Sequence, residues 1–337
     1  MRKNIILALV VVLVAVFGLM VSQVPALAKA KYQIKLHHGE PLGSAEDLNA
    51  RKLKAMIEEK TQGEAEVSMY PAGEMGTDLE AAEMIQMGTL QMAIVATGWL
   101  GGISPAAQIL DIPFLLPTDS RLAVKVLNGP AGDALGATFK GMKVTGYYSL
   151  GVKQYTCNNA IRKPADFKGL KIRTMASPLV VESFKVMGAI PTPLPYTEVY
   201  SALQLGTVVG QENPIWAIKK MKFYEVQDYL ILSNHATFVS MMAVNPKWFD
   251  SLPPKIQKII ADGSKEIAYP IYESIAKEEQ ADLDEIRASG TQIIELTPAE
   301  IGAFKEAMVP VRKKFVELTG KQELLKIFDE EVAKVTK

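Results

Sequence analysis

Residues 254–289 carry helical apolar spacing almost throughout, interrupted once by Pro270. An α-helix of ~35 residues is about 50 Å long at 1.5 Å per residue, more than one small domain spans. Pro270 removes one donor and clashes with the preceding turn, so it should kink the helix. A helix of that length must lie across two domains. The 337 residues can supply them, because single cores rarely grow past roughly 250–300 residues.

The rest of the chain fits two α/β units. Residues 31–36 alternate as a first strand, 45–60 have helical spacing with Glu/Lys pairing, and 65–70 alternate again. A Pro71-Ala72-Gly73 turn precedes a helix over 78–87, and 90–96 read as a buried strand. Strand, helix, strand, helix, strand is the pattern of a largely parallel sheet. A helix over 120–127 and a strand over 144–150 follow, and a second unit begins near Gly151. There we expect a short strand at 170–173, helices at 178–187 and 196–205, and a polar turn at 210–214. Strand-like segments follow at 226–232 and 238–244, with a helical tail from Pro298 onward. No repeat or low-complexity tether separates the units, so they are tightly joined.

Residues 1–30 look like a leader rather than part of the fold. Arg2 and Lys3 precede an apolar run over 5–21, and Ala26-Leu27-Ala28 and Ala28-Lys29-Ala30 are small-x-small cleavage sites. The rival reading, a membrane anchor, asks for about 20 apolar residues. Cleavage near Ala28 or Ala30 would release the mature chain outside the inner membrane. The leader has no cysteine for lipid attachment.

The composition excludes several functions. With 37 basic and 37 acidic residues, nothing points to nucleic acid. The one cysteine, Cys157, cannot form an intramolecular disulfide and reads as a buried thiol. No phosphate-binding glycine loop, nucleophile elbow or zinc-protease helix is present. His37 and His38 sit at a strand end, with His235 far off in sequence, which is a poor metal set. No cofactor is expected, and the residue tally favours a binder over an enzyme.

Residues 167–214 are the most specific. Phe167-Lys168-Gly169-Leu170-Lys171-Ile172-Arg173 is followed by Gly188-Ala189-Ile190-Pro191-Thr192-Pro193-Leu194-Pro195-Tyr196 and the run to Gln204, then by Gly210-Gln211-Glu212-Asn213-Pro214. This stretch closely resembles the extracytoplasmic solute-binding subunits of TRAP transporters, the DctP-type family. Tyr70-Pro71 to Gly76, Leu110 to Leu115, Lys222 to Gln227 and Asn234-His235 extend the resemblance over essentially the whole mature chain. It implies a hinged two-domain periplasmic binding protein fold with a long helix along both domains. The implied division is 31–150 plus 240–278 for domain I, and 151–239 plus 279–337 for domain II.

The resemblance also assigns roles. Arg173 would pair with a ligand carboxylate, a task suited to a guanidinium that stays charged in a dry cleft. Asn213 would donate to a carboxylate or hydroxyl, and Tyr196 would line the pocket. Lys153 stands where several relatives carry a second arginine, and it supplies charge without a bidentate fork. Trp99 is placed to wall off or stack on the ligand, and Trp216 is a weaker candidate. Asn159, Asp78 and Glu80 are marginal, and His235 is expected to order a crossing strand. The implied protein is a monomeric periplasmic subunit that captures an organic acid by hinge closure and serves TRAP membrane subunits. The rivals are a ligand sensor for a signalling system and a secreted enzyme.

Overall fold

The computed structural model describes residues 30–337, so the leader lies, apart from Ala30, outside the described residues. β1 (Tyr32–His38), β2 (Ala65–Tyr70) and β3 (Met92–Ala96) are linked by the helices Ala45–Lys60 and Asp78–Met87. Their starts follow from local chemistry. The Ser44 side chain accepts from the Asp47 N–H, and Thr77 with Glu80 forms a capping box. Gly88, at φ 81°, closes the second helix. β1 pairs in parallel with β2 and β3, so their C-terminal ends share one edge.

Two long strands cross the molecule, β4 (Lys143–Cys157) and β8 (Tyr229–Val244), paired antiparallel. Beyond the crossing lie β5 (Lys171–Thr174), β6 (Ile190–Pro193), β7 (Gly210–Pro214) and β9 (Gln292–Glu295). The sheet order is β2-β1-β3-β8-β4-β7-β5-β6, with β9 on β8. The chain is thus a mixed α/β protein of two lobes on one continuous sheet. A second apolar cluster, including Val199, Ile218, Phe223 and Ile286, belongs to the second lobe alone.

The crossing is irregular in both strands. Gly151 has φ +96° and falls where the β4–β8 register shifts. Asn234, at φ +47°, falls in the next register shift, between the Lys153–Ala236 and Tyr155–Ile231 pairs. Across them Gln154 and Asn234 bond reciprocally, side-chain amide to side-chain oxygen at 2.8 Å and backbone N–H to side-chain oxygen at 2.9 Å.

Several expectations are corrected. Residues 211–214 form strand β7 rather than a turn. They are buried between β4 and β5, and Pro214 sits at the strand end, where its missing donor costs little. The segments 226–232 and 238–244 belong to one strand starting at Tyr229. The long helical segment becomes Pro254–Glu266 and Ala268–Ala288, with its break at Ile267. Pro270 offers no N–H to the Glu266 carbonyl, which explains a break just ahead of it. The helix Ala268–Ala288 packs on Ala45–Lys60 of the first lobe and on Ile215–Lys220 of the second. The tail forms Pro298–Ala307, Val309–Thr319 and Gln322–Val335. Its last helix packs on Ser120–Leu127 and Pro130–Gly136 of the first lobe, whereas the sequence reading put the whole tail with the second. Among the described residues no helix is long and apolar enough to cross a membrane.

Candidate ligand-binding site

In open α/β sheets, ligands bind beyond the carboxyl ends of parallel strands. Those ends face each other here across the crossing strands. The first lobe presents Glu40 after β1 and the 3₁₀ turn Thr97–Gly102 after β3. The second presents Arg173 on β5 and Tyr196 just after β6.

Arg173 is 2% exposed, yet no carboxylate contacts it among the described residues. Its Nε and Nη2 both donate to the Leu194 carbonyl, at 3.1 and 2.9 Å. Burial lowers its pKa to about 10, partly countered by Tyr196 and Glu212. Trp99 of the opposite lobe lies over the guanidinium, 5.8 Å from Cζ to the ring centroid, within cation–π range. The lobes also meet where Gly98 abuts Met175 and Gly43 approaches Lys220. The cleft is therefore closed in this structure.

Tyr196 packs edge-on against Phe223, and its buried hydroxyl has no hydrogen-bond partner. Arg173, Tyr196 and Trp99 are thus brought together. Asn213 is buried on β7, its amide donating to Gln211 Oε1.

Lys153 is differently engaged. Its ammonium is 2.7 Å from Glu212, whose other oxygen meets His235 Nε2 at 2.7 Å. His235 Nδ1 lies 2.7 Å from the Ser233 hydroxyl, and Tyr155 stacks on the imidazole at 3.9 Å. Burial pushes Glu212 up, but Lys153 and then His235 outweigh it and hold the carboxyl below its ordinary range. Burial lowers His235 more than Glu212 raises it. A neutral ring donating from Nε2 to Glu212 and accepting at Nδ1 from Ser233 satisfies both partners. The Lys153 charge therefore has an internal partner and braces β4, β7 and β8. Trp216 is also engaged, its indole N–H donating to the Leu150 carbonyl at 2.6 Å beside Gly151.

Among the marginal candidates, Asn159 is exposed beyond the end of β4, and Glu80 serves the capping box. Asp78 accepts from the Ala96 N–H at 2.9 Å, and burial raises it to about 6. His37 is fully buried without a hydrogen bond, while His38 meets Asp47 at 3.1 Å. Cys157 is buried and free. Sequence reasoning missed Glu40. Its signal was position, an acid directly after the C-terminal end of the first parallel strand. Surface grooves elsewhere, one lined by Tyr147, Phe249 and Lys265 and another by Phe114, Asn234 and Lys305, include none of the predicted residues.

The 2,3-diketo-L-gulonate-binding periplasmic protein of Escherichia coli is 34% identical over 85% of this chain and 88% of its own. The ectoine-binding periplasmic protein of Halomonas elongata is 33% identical over 85% of each. A TRAP periplasmic solute-binding protein from Desulfovibrio salexigens, solved with orotic acid, superposes with a TM-score of 0.87 at 35% identity, covering 90% of this chain and 99% of that one. The family model for bacterial extracellular solute-binding proteins, family 7, matches residues 36–318. The chain belongs to that family, the DctP-type solute-binding proteins of TRAP transporters.

Proposed function

We propose that this protein captures a small organic acid anion in the periplasm, with Arg173 receiving its carboxylate, and delivers it to TRAP membrane subunits. The observation that carries the reading is the Arg173 guanidinium, 98% buried with only a backbone carbonyl and an indole face for company. A buried cation costs several kcal/mol unless an anion meets it. A ligand carboxylate supplies that anion, with Asn213 and Tyr196 alongside. The relatives named above bind, by their names and titles, 2,3-diketo-L-gulonate, ectoine and orotic acid, and all three are carboxylic acids.

Capture works by closure. Arg173 and Tyr196 stand on one lobe and Trp99 and Glu40 on the other, so a ligand touching both stabilises the closed form by its differential affinity. A thermal-shift screen of organic acids finds the ligand, and calorimetry on Arg173→Met then tests the reading. Truncating one side of a buried charge pair costs about 2–5 kcal/mol, roughly 30- to 5,000-fold in affinity. Scattering on the wild type should show a smaller radius of gyration with ligand than without. Undiminished affinity in Arg173→Met removes the arginine from the site.

A further inference from the structure

The first lobe meets the ligand space with acid, and no ion pair among the described residues balances it. Glu40 is 7% exposed and its Oε2 has no hydrogen-bond partner. Behind it, Glu46 is 2% exposed with an unpartnered Oε2, and Asp78 has an unpartnered Oδ1. None of the three forms an ion pair among the described residues. Gly39, next to Glu40, is pressed so close to Asp78 that a Cβ there would lie 2.5 Å from Oδ1. The three carboxyls do not converge on a point as metal ligands do, since no such group occurs among the described residues. A molecule carrying hydrogen-bond donors suits them better than a bare cation.

An independent sign of a ligand comes from the other lobe. Arg173 is as deeply buried, and its Nη1 makes no hydrogen bond among the described residues. The unpartnered Tyr196 hydroxyl feels both groups: burial raises its pKa most, Glu40 raises it further and Arg173 lowers it. One end of the cleft therefore lacks an anion, and the other lacks a donor or a cation.

We infer that the ligand is bipolar: besides the carboxylate received by Arg173, it carries a nitrogen-bearing group, cationic or N–H donating, received by Glu40. This rests on the Arg173 reading and narrows its substrate class to zwitterionic or N-heterocyclic acids. A dicarboxylate would set its far carboxylate against three buried carboxyls, whereas a sugar acid offers Glu40 hydroxyl donors only.

The test uses calorimetry and thermal shift on the mature protein with four probes. Ectoine and orotate carry nitrogen donors, whereas succinate and D-glucuronate do not. The wild type should bind a nitrogen-bearing probe in preference to both others. Glu40→Ala should weaken that probe by roughly 10- to 100-fold, the worth of a hydrogen bond to a charged group. It should weaken the nitrogen-free acids by much less, or tighten them. Tighter wild-type binding of succinate or glucuronate, or unchanged binding of the nitrogen probe in Glu40→Ala, overturns the inference. Should Glu40→Ala fail to fold, the wild-type preference decides alone. Arg173→Met separates the two levels: if it binds every probe as well as wild type, the carboxylate reading fails. If it loses them while Glu40→Ala loses none, only the bipolar reading fails. Absence of binding by all four probes counts against both.

Discussion

Replacing Lys153 with methionine should destabilise the protein before it affects any ligand. The ammonium and the Glu212 carboxylate are 2.7 Å apart, and their side chains are 5% and 6% exposed. Removing the cation leaves Glu212 buried with a neutral His235. It also leaves Asp111, already raised to about 6 chiefly by burial and held down by Lys153, facing Glu212 without a positive charge between them. Breaking a buried pair from one side costs about 3–5 kcal/mol. For a chain of ~300 residues, with roughly 2 cal/mol/K per residue of unfolding entropy, that lowers Tm by about 5–8 °C. Glu212→Gln should cost a similar amount by stranding the lysine. The double variant Lys153→Met/Glu212→Gln should lose much less than the two single losses combined, because no uncompensated charge remains. Urea denaturation of the four proteins measures the cycle. If Lys153→Met loses under about 1 kcal/mol, or the single losses add within about 0.5 kcal/mol, the pair is not the brace described.

Two further outcomes follow from the same structure. Burial and then Asp78 raise Glu40 to about 8 from an ordinary value of 4.5. A raised acid favours folding while it is protonated, so this contribution fades as pH rises from about 4.5 through 8. Glu46, Asp78 and Tyr196 lie within the electrostatic reach of Glu40. Glu40→Gln should therefore gain Tm relative to wild type between pH 5 and 8, and a pH-independent difference would contradict the burial. Gly151→Ala should cost about 1–3 kcal/mol, since φ +96° strains any side chain. Its neighbours Ile275 and Pro214, at 3.5 Å, are ordinary contacts. Wild-type stability in chemical denaturation would show that the crossing tolerates another backbone path.

The first lobe was highly legible in the sequence because its signals are local. The helices over 45–60, 78–87 and 120–127 match at both ends, each announced by a Ser, Thr or Asp cap and an amphipathic face. β7 was misread because Asn213-Pro214 is a turn signal in isolation. Pairing with β4 and β5 overrides it, and neither partner is near in sequence. Lys153 shows the same limit within the site. Its charge was visible, but its partner Glu212 sits on another strand. Glu40 was overlooked because one acid after a strand carries no motif. Only the closed cleft shows that it lacks a partner.

The shared sheet also bears on how the chain is made. β3 cannot complete its ladder until Met92 meets Val244, and β8 in turn waits for β9, where Leu230 pairs with Ile293. A ribosome delivering this chain from its N-terminus therefore finishes neither lobe until most of the sequence has emerged. Closing such long loops before any strand contact rewards them slows folding. The topology that joins the lobes thus postpones the native packing of both until β8 and β9 are in place.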